Sequence, residues 1–294
     1  MAETEHPTLK GIRSTVLGIF ISLGLAIIKG VTGILGNSYA LIADAIESTA
    51  DVFTSGILLI GLKTSLKPPD KEHPYGHGKA ESLAALVIAL GLLGAAGIII
   101  AESIRNITTP HKNPAAYTLI VLVIVIIIKE VLSRYVTKVG EEINSHGVKA
   151  DAFHHRSDAI TSAAAFIGIS IALIGGNGYQ NADDYAALIA STIILINAYL
   201  SARPAIDDLM DASPDEKMVD NIKQLASSVD GVIEIEKTYI RKSGSTFLVD
   251  IHVVVMGTLS VADGHKIAHD VKDAIIDTEP RVKDVLVHVE PHAF

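Results

Sequence analysis

Three acids, Asp44, Glu47 and Asp51, stand inside an otherwise apolar stretch, residues 39–62. On a helix, Glu47 and Asp51 are an i, i+4 pair about 6 Å apart on one face, and Asp44 joins them one turn earlier. An acid at the centre of a lipid-spanning helix costs roughly 3 kcal/mol, so such a stripe needs a partner charge, a water-filled cavity or a metal. A second apolar stretch, 148–174, repeats the spacing with His154 and Asp158. Two facing helices that each present two ligands can close four donors around one ion. Asp51 lies twelve residues from Lys63 and Asp158 nine from Lys149. At 1.5 Å per residue that is about 18 and about 14 Å from those basic ends, so the pairs can meet near mid-membrane. The apolar stretches show no base placed to neutralise these carboxylates. Asp44 reads as a structural group, and His155 points away from the His154 face, which suits a pathway or helix-contact residue. Asp151 has no defined role.

A loop between apolar stretches carries Asp70, His73 and His77, a carboxylate and two imidazoles within eight residues, which suits a small N/O metal site. Gly76 and Gly78 leave its backbone free to fold around an ion. Near the C-terminus His252 alternates with Asp250 and Val254 on one strand face. His288 and Glu290 share a face of the last strand, and His265 and His269 share a helix face.

The rest of the chain must position these groups. With 294 residues, 49% of them hydrophobic, and a mean hydropathy of +0.41, it is too apolar for an ordinary soluble enzyme. Six spans are expected, at 12–35, 39–62, 83–104, 115–128 extending toward Tyr135, 148–174 and 185–200, the last followed by Pro204. Lys10, Arg13, Lys63, Lys67, Lys71, Lys79, Arg134, Lys138, Lys149 and Arg203 gather on one set of connections, and the other holds little beyond Arg105 and Lys112. The basic side, with both termini, is therefore read as cytoplasmic, in a multi-pass cell-membrane protein.

The chain divides into a transmembrane domain, 1–208, and a polar cytoplasmic domain, 209–294. In the latter, Ser213-Pro214-Asp215-Glu216 reads as an N-cap with Pro at the first helical position. Strands at 232–241 and 246–256, a helix from Ser260 to 278 and a strand at 282–289 complete an αββαβ order, an α+β unit with helices on one face of its sheet. The absence of Cys excludes disulfides and thiolate metal sites, leaving His, Asp and Glu as strong ligands. A net charge of −9 excludes a nucleic-acid partner, because nothing supplies a basic stripe for phosphates.

These motifs resemble the cation diffusion facilitator family over nearly the whole length. The residues that carry the resemblance are the run from Ala43 to Asp51, His73-Pro74-Tyr75-Gly76-His77-Gly78-Lys79-Ala80-Glu81-Ser82, and His154-His155-Arg156-Ser157-Asp158. The resemblance implies six transmembrane helices followed by a ferredoxin-like αββαβ domain, and a homodimer. It implies a transport site at Glu47, Asp51, His154 and Asp158, and a peripheral site at Asp70, His73 and His77. It further implies a cytoplasmic metal cluster at Glu236, His252, His265, His288 and Glu290, and an interlocking charge pair, Lys79 with Asp211, where membrane and tail meet. Glu47 stands where His or Asp is usual, and Glu236 where His is frequent.

The function expected is secondary transport of a divalent transition metal out of the cytoplasm in exchange for protons, since loading neutral His and ionised carboxylates releases protons. Zinc ranks first as substrate, ahead of Fe(II) and Mn, with Co or Cd also compatible, and a metal held in the tail would be structural or regulatory. Besides metal ions and protons, the bilayer is the expected partner. Two other classes compete: a metal-sensing receptor that signals through its tail, and a membrane metalloenzyme. The latter fits poorly, because four side-chain ligands leave no open position for water.

Overall fold

The computed structural model describes residues 7–35, 39–108, 117–175, 179 and 182–292. Six long helices come first: α1 (Pro7–Leu35), α2 (Tyr39–Ser65), α3 (Ala80–Thr108), α4 (Thr118–Glu142), α5 (His146–Gly175) and α6 (Ala182–Leu209). They are 25 to 30 residues long. At 1.5 Å per residue this gives about 38–45 Å, more than the roughly 30 Å hydrocarbon layer requires. Among the described residues, three stretches are long and apolar enough to cross a membrane: Pro7–Thr32, Ala80–Arg105 and His146–Gly175. α2 interrupts its apolar run with Asp44, Glu47 and Asp51, and α4 with Lys129, Glu130 and Arg134.

The bundle buries polar groups beside its apolar core and turns apolar groups outward. Each of α1 to α6 buries a serine, in order Ser22, Ser55, Ser82, Ser133, Ser157 and Ser191, and each turns large apolar groups outward, among them Phe20, Phe53, Leu90, Ile120, Ile171 and Ile196. Lipid rather than water satisfies such a surface. α1 packs on α2, α4 on α5, and α6 on both α3 and α5, while α2 also meets α5. That last contact sets the candidate site.

Two helices depart from the sequence expectation. α4 runs past the expected extension toward Tyr135, as far as Glu142, and takes in Lys129, whose charge is satisfied inside the bundle. α6 continues through Pro204 to Leu209. A proline costs one i−4 hydrogen bond, which a helix supported by packed neighbours tolerates.

The tail comprises α7 (Glu216–Ser227), β1 (Val232–Ser243), β2 (Thr246–Val255), α8 (Val261–Thr278) and β3 (Val282–Pro291). β1 pairs with β2 antiparallel and β2 with β3 parallel. The cap of α7 is Asp215 rather than Ser213, and Pro214 lies outside the helix. The Asp215 carboxylate accepts from the Met218 amide at 3.0 Å. Ser260 caps α8 as its sequence suggested. Alternation along β2 sends Phe247, Val249, Ile251, Val253 and Val255 into a core with Ile222, Val271 and Ile275, and leaves Asp250, His252 and Val254 on the opposite face.

Candidate metal centres

In the bundle, α2 and α5 run antiparallel, and their contact brings Asp51, His154 and Asp158 together with one ligand atom of each within 4.8 Å of the others. His154 donates from Nε2 to Asp51 Oδ1 at 2.9 Å. One turn nearer the end that carries Lys63 and Lys149, Ser55 donates to Asp151 Oδ1 at 2.9 Å, so the two helices are laced by parallel rungs. Glu47 belongs to α2, but its side chain, like that of Asp44, lies outside the described residues. His155 is fully buried on another face of α5. Its Nε2 is 3.7 Å from Asp151 Oδ2, and a Cβ on Gly18 of α1 would stand 3.1 Å from its ring. It is a helix-contact residue in this structure.

Lys129 was missed by sequence reasoning. The structure overturns the expectation that no base faces these acids: Lys129 is 0% exposed, and its Nζ donates to Asp51 Oδ2 at 2.9 Å and to Asp158 Oδ2 at 2.8 Å. A signal was present, since a lysine directly after the apolar run from Leu119 to Ile128 is a charge that a buried helix would have to satisfy. Read from sequence, the apolar part of the span closes at Ile128, and the extension toward Tyr135 gives Lys129 no role. Lys29 in α1 is a second buried ammonium, donating to Ser48 Oγ at 2.8 Å.

The loop between α2 and α3 gathers Asp70, His73 and His77, again with ligand atoms within 4.8 Å. Asp70 Oδ1 accepts the amides of Glu72 and His73 at 2.9 and 2.7 Å, an Asx-type turn that fixes the carboxylate. The His73 amide foremost, against desolvation, holds Asp70 below the usual carboxylate range. The two imidazoles flank it, His73 Nδ1 at 3.3 Å and His77 Nε2 at 3.4 Å. Gly78 lets this loop seat on the tail, because a Cβ there would lie 2.6 Å from the Ser243 carbonyl carbon. Alongside, Asp211 closes α6 with φ 58°, and its Oδ1 accepts from Lys79 Nζ at 2.7 Å.

In the tail, the parallel register sets His252 opposite His288 and Val254 opposite Glu290. His252 Nδ1 donates to Glu290 Oε1 at 2.6 Å, and His288 Nε2 is 3.7 Å from the same oxygen. Glu236 falls at a bulge between Ile235 and Lys237 that turns its carboxylate to 3.9 Å from His252 Nδ1. Lys237 holds it at 2.9 Å and lowers its pKa. His265 is not brought to this cluster within one chain. It lies on α8, which packs on the other face of the sheet, with its ring 4.6 Å from that of His269.

A bundle that turns apolar groups outward and collects ionisable ones inside, with an α+β domain appended, has the character of a membrane protein. Residues 15–210 match the cation efflux transmembrane domain and residues 214–292 the cation efflux protein cytoplasmic domain. The chain belongs to the cation efflux family, the cation diffusion facilitators that its motifs resemble.

Among its relatives is the manganese efflux system protein MneP of Bacillus subtilis, 33% identical over 284 residues, which are 94% of this chain and 95% of MneP. Metal tolerance protein C1 of Arabidopsis thaliana is 33% identical over 98% of this chain, which spans only 64% of that longer protein. Magnetosome protein MamB of Magnetospirillum gryphiswaldense is 30% identical over 91% of this chain and 89% of MamB. Among solved structures, a cadmium form of a MamM CTD variant is 23% identical, covers 26% of this chain and 96% of that one, and gives a TM-score of 0.26.

Proposed function

We propose that this protein is a secondary transporter that exports a divalent transition metal from the cytoplasm in exchange for protons. In this reading α1 to α6 are six spans of the cell membrane, both termini are cytoplasmic, and the tail joins two copies into a homodimer. The observation that carries it is the convergence of Asp51, His154 and Asp158 inside the bundle, where buried ionisable groups serve function. Glu47, one helical turn from Asp51 on α2, is the fourth ligand by periodicity.

The residues also account for the coupling. Asp51 and Asp158 bind metal as carboxylates and His154 as a neutral imidazole, so entry of the ion releases protons and their return expels it. Rocking of the helices about a fixed midplane site would expose it to one side and then the other. The loop trio sits where bundle and tail meet and is read as a peripheral site. The tail cluster is read as a regulatory or structural metal site.

An N/O donor set without thiolate suits zinc, and its carboxylate share extends to Fe(II), Mn, Co and Cd. Manganese is the second reading, favoured by the name of the MneP relative. The test is uptake of Zn, Mn, Fe(II), Co and Cd into sealed liposomes under an imposed pH gradient, for wild type and Asp51→Ala. Saturable, gradient-dependent uptake lost in the variant is expected, and the same assay ranks the metals. No flux for any ion, with metal still held by the tail, would replace the transporter with a metal sensor.

A further inference from the structure

Lys129 is the one component of the bundle cluster that is not a metal ligand, and its placement is specific. An ammonium has three N–H donors. Three elements supply the acceptors around this one: Asp51 Oδ2 from α2 at 2.9 Å, Asp158 Oδ2 from α5 at 2.8 Å, and Ser22 Oγ from α1 at 3.4 Å. The nitrogen thus lies between two carboxylates proposed as ligands, where a cation shared by them would lie. A divalent ion bound to these oxygens at about 2.0–2.2 Å could not coexist with an ammonium on the same oxygens. The two positive charges would be close neighbours in a buried, weakly screened interior.

Resting on the transporter reading, we propose that Lys129 is a tethered counter-cation: its ammonium bridges Asp51 and Asp158, and a divalent metal loads only by displacing it. Two consequences follow. The carboxylates are bridged by one cation or the other throughout the cycle, so they never face each other bare in the low-dielectric core. An entering ion must also outbid a resident +1 charge that costs no association entropy, which disfavours monovalent ions and selects for two positive charges.

The displaced ammonium has a landing point. Asp151 lies on the same α5 face as His154 and Asp158, one turn before His154 and two before Asp158. It is fully buried, and while Oδ1 accepts from Ser55, Oδ2 has no hydrogen-bond partner among the described residues. From His154, which pairs with Asp51, the rise to Asp151 is about 4.5 Å and from Asp158 about 10.5 Å, a distance that takes a full swing of the flexible four-carbon stem. The exchange moves the ammonium as a whole and requires no loss of its proton.

The experiment compares wild type with Lys129→Met and Lys129→Arg as full-length protein. Initial uptake of zinc, with manganese alongside, is measured in liposomes. Binding and metal-induced thermal shift are measured on purified protein in a His73→Ala, His252→Ala background, so that the bundle site dominates. Lys129→Met removes the competitor, so KM should fall about tenfold, the maximal rate should fall because the returning ammonium no longer helps protons expel the ion, and the thermal shift should grow. Lys129→Arg keeps a charge that grips carboxylates bidentately and should raise KM severalfold.

An unchanged or raised KM and an unchanged thermal shift in Lys129→Met would overturn the proposal. Should Lys129→Met not fold, Lys129→Arg decides, and an unchanged or lowered KM overturns it. Absence of flux in wild type would defeat the transporter reading instead. The counter-cation is then judged by whether metal binding that depends on Asp51 is tighter in Lys129→Met than in wild type.

Discussion

Two of the three His-carboxylate clusters among the described residues, those of the bundle and the tail, use similar donors under opposite conditions. In the bundle, Asp51 and His154 are buried and Asp158 is mostly so, with an ammonium between the acids. In the tail, His252, His288 and Glu290 lie on the open face of a sheet, with His288 exposed and Lys237 held off to one side by Glu236. Water can neutralise the tail cluster, so its donors need no built-in cation and a metal meets only solvent. The bundle cluster has no such recourse, and its counter-charge must come from the protein. Burial therefore decides whether binding metal is simple occupancy or an exchange of cations, and an exchange is what a transporter requires.

The largest effect should come from the bundle. His154→Ala removes the only imidazole of the trio and leaves Asp51 without its Nε2 donor. Flux is expected to fall about 100-fold, equivalent to about 2.7 kcal/mol, while calorimetric metal binding by the tail is unchanged. Equal loss at both sites would erase the distinction. The converse change, His252→Ala, deletes the residue that joins β2 to Glu290. Tail affinity should drop about tenfold or more, and flux in liposomes only a few-fold. A tail variant that stops transport altogether would make the tail cluster part of the ion's route.

How much of this was legible in the sequence follows the same division. The αββαβ order could be read because strand alternation and caps are local signals, Ser260 and the β2 pattern being clear cases. The i, i+4 pairs were legible for the same reason, since helical periodicity alone puts His154 and Asp158 on one face. Lys129 was not recognised, because its role depends on α4 lying against α5 and on α1 and α2 facing the same spot, which no local pattern encodes. The displaced cap at Asp215 and the run of α6 through Pro204 were missed for a related reason. Hydrogen-bond geometry and neighbouring helices, rather than residue preference, chose those boundaries.

The junction between the two regions should respond less. Lys79 and Asp211 are paired at 2.7 Å but both substantially exposed, so the bond contributes at most about 1 kcal/mol. Its value lies in direction, because it ties the start of α3 to the chain leaving α6. Asp211→Lys should lower the thermal midpoint by only a degree or two yet reduce flux severalfold, and Lys79→Asp in the same chain should restore much of it. Intact transport in the single variant would show that the tail needs no such fastening.

The smallest effect belongs to the tail surface and sets the scale for a lysine-carboxylate pair in water. Lys272 Nζ of α8 donates to Asp284 Oδ1 of β3 at 2.6 Å, and this bond foremost holds Asp284 below its usual 3.8. A carboxyl depressed in the folded state contributes stability that is fully present above the unfolded value and is lost as pH falls through the folded one. Asp284→Asn should therefore lower tail stability at pH 7 by less than about 1 kcal/mol. The difference from wild type should shrink below about pH 4, as seen in thermal unfolding of the full-length protein. A difference that persisted after protonation would assign the effect to packing or to the backbone bond from the Val285 amide, also accepted by Asp284 Oδ1 at 3.0 Å. Lys272→Met should cost no more than Asp284→Asn, because water solvates the carboxylate left behind. Lys129→Met leaves two buried acids together with no such solvent, and the gap between these two lysine-to-methionine substitutions measures what separates the clusters.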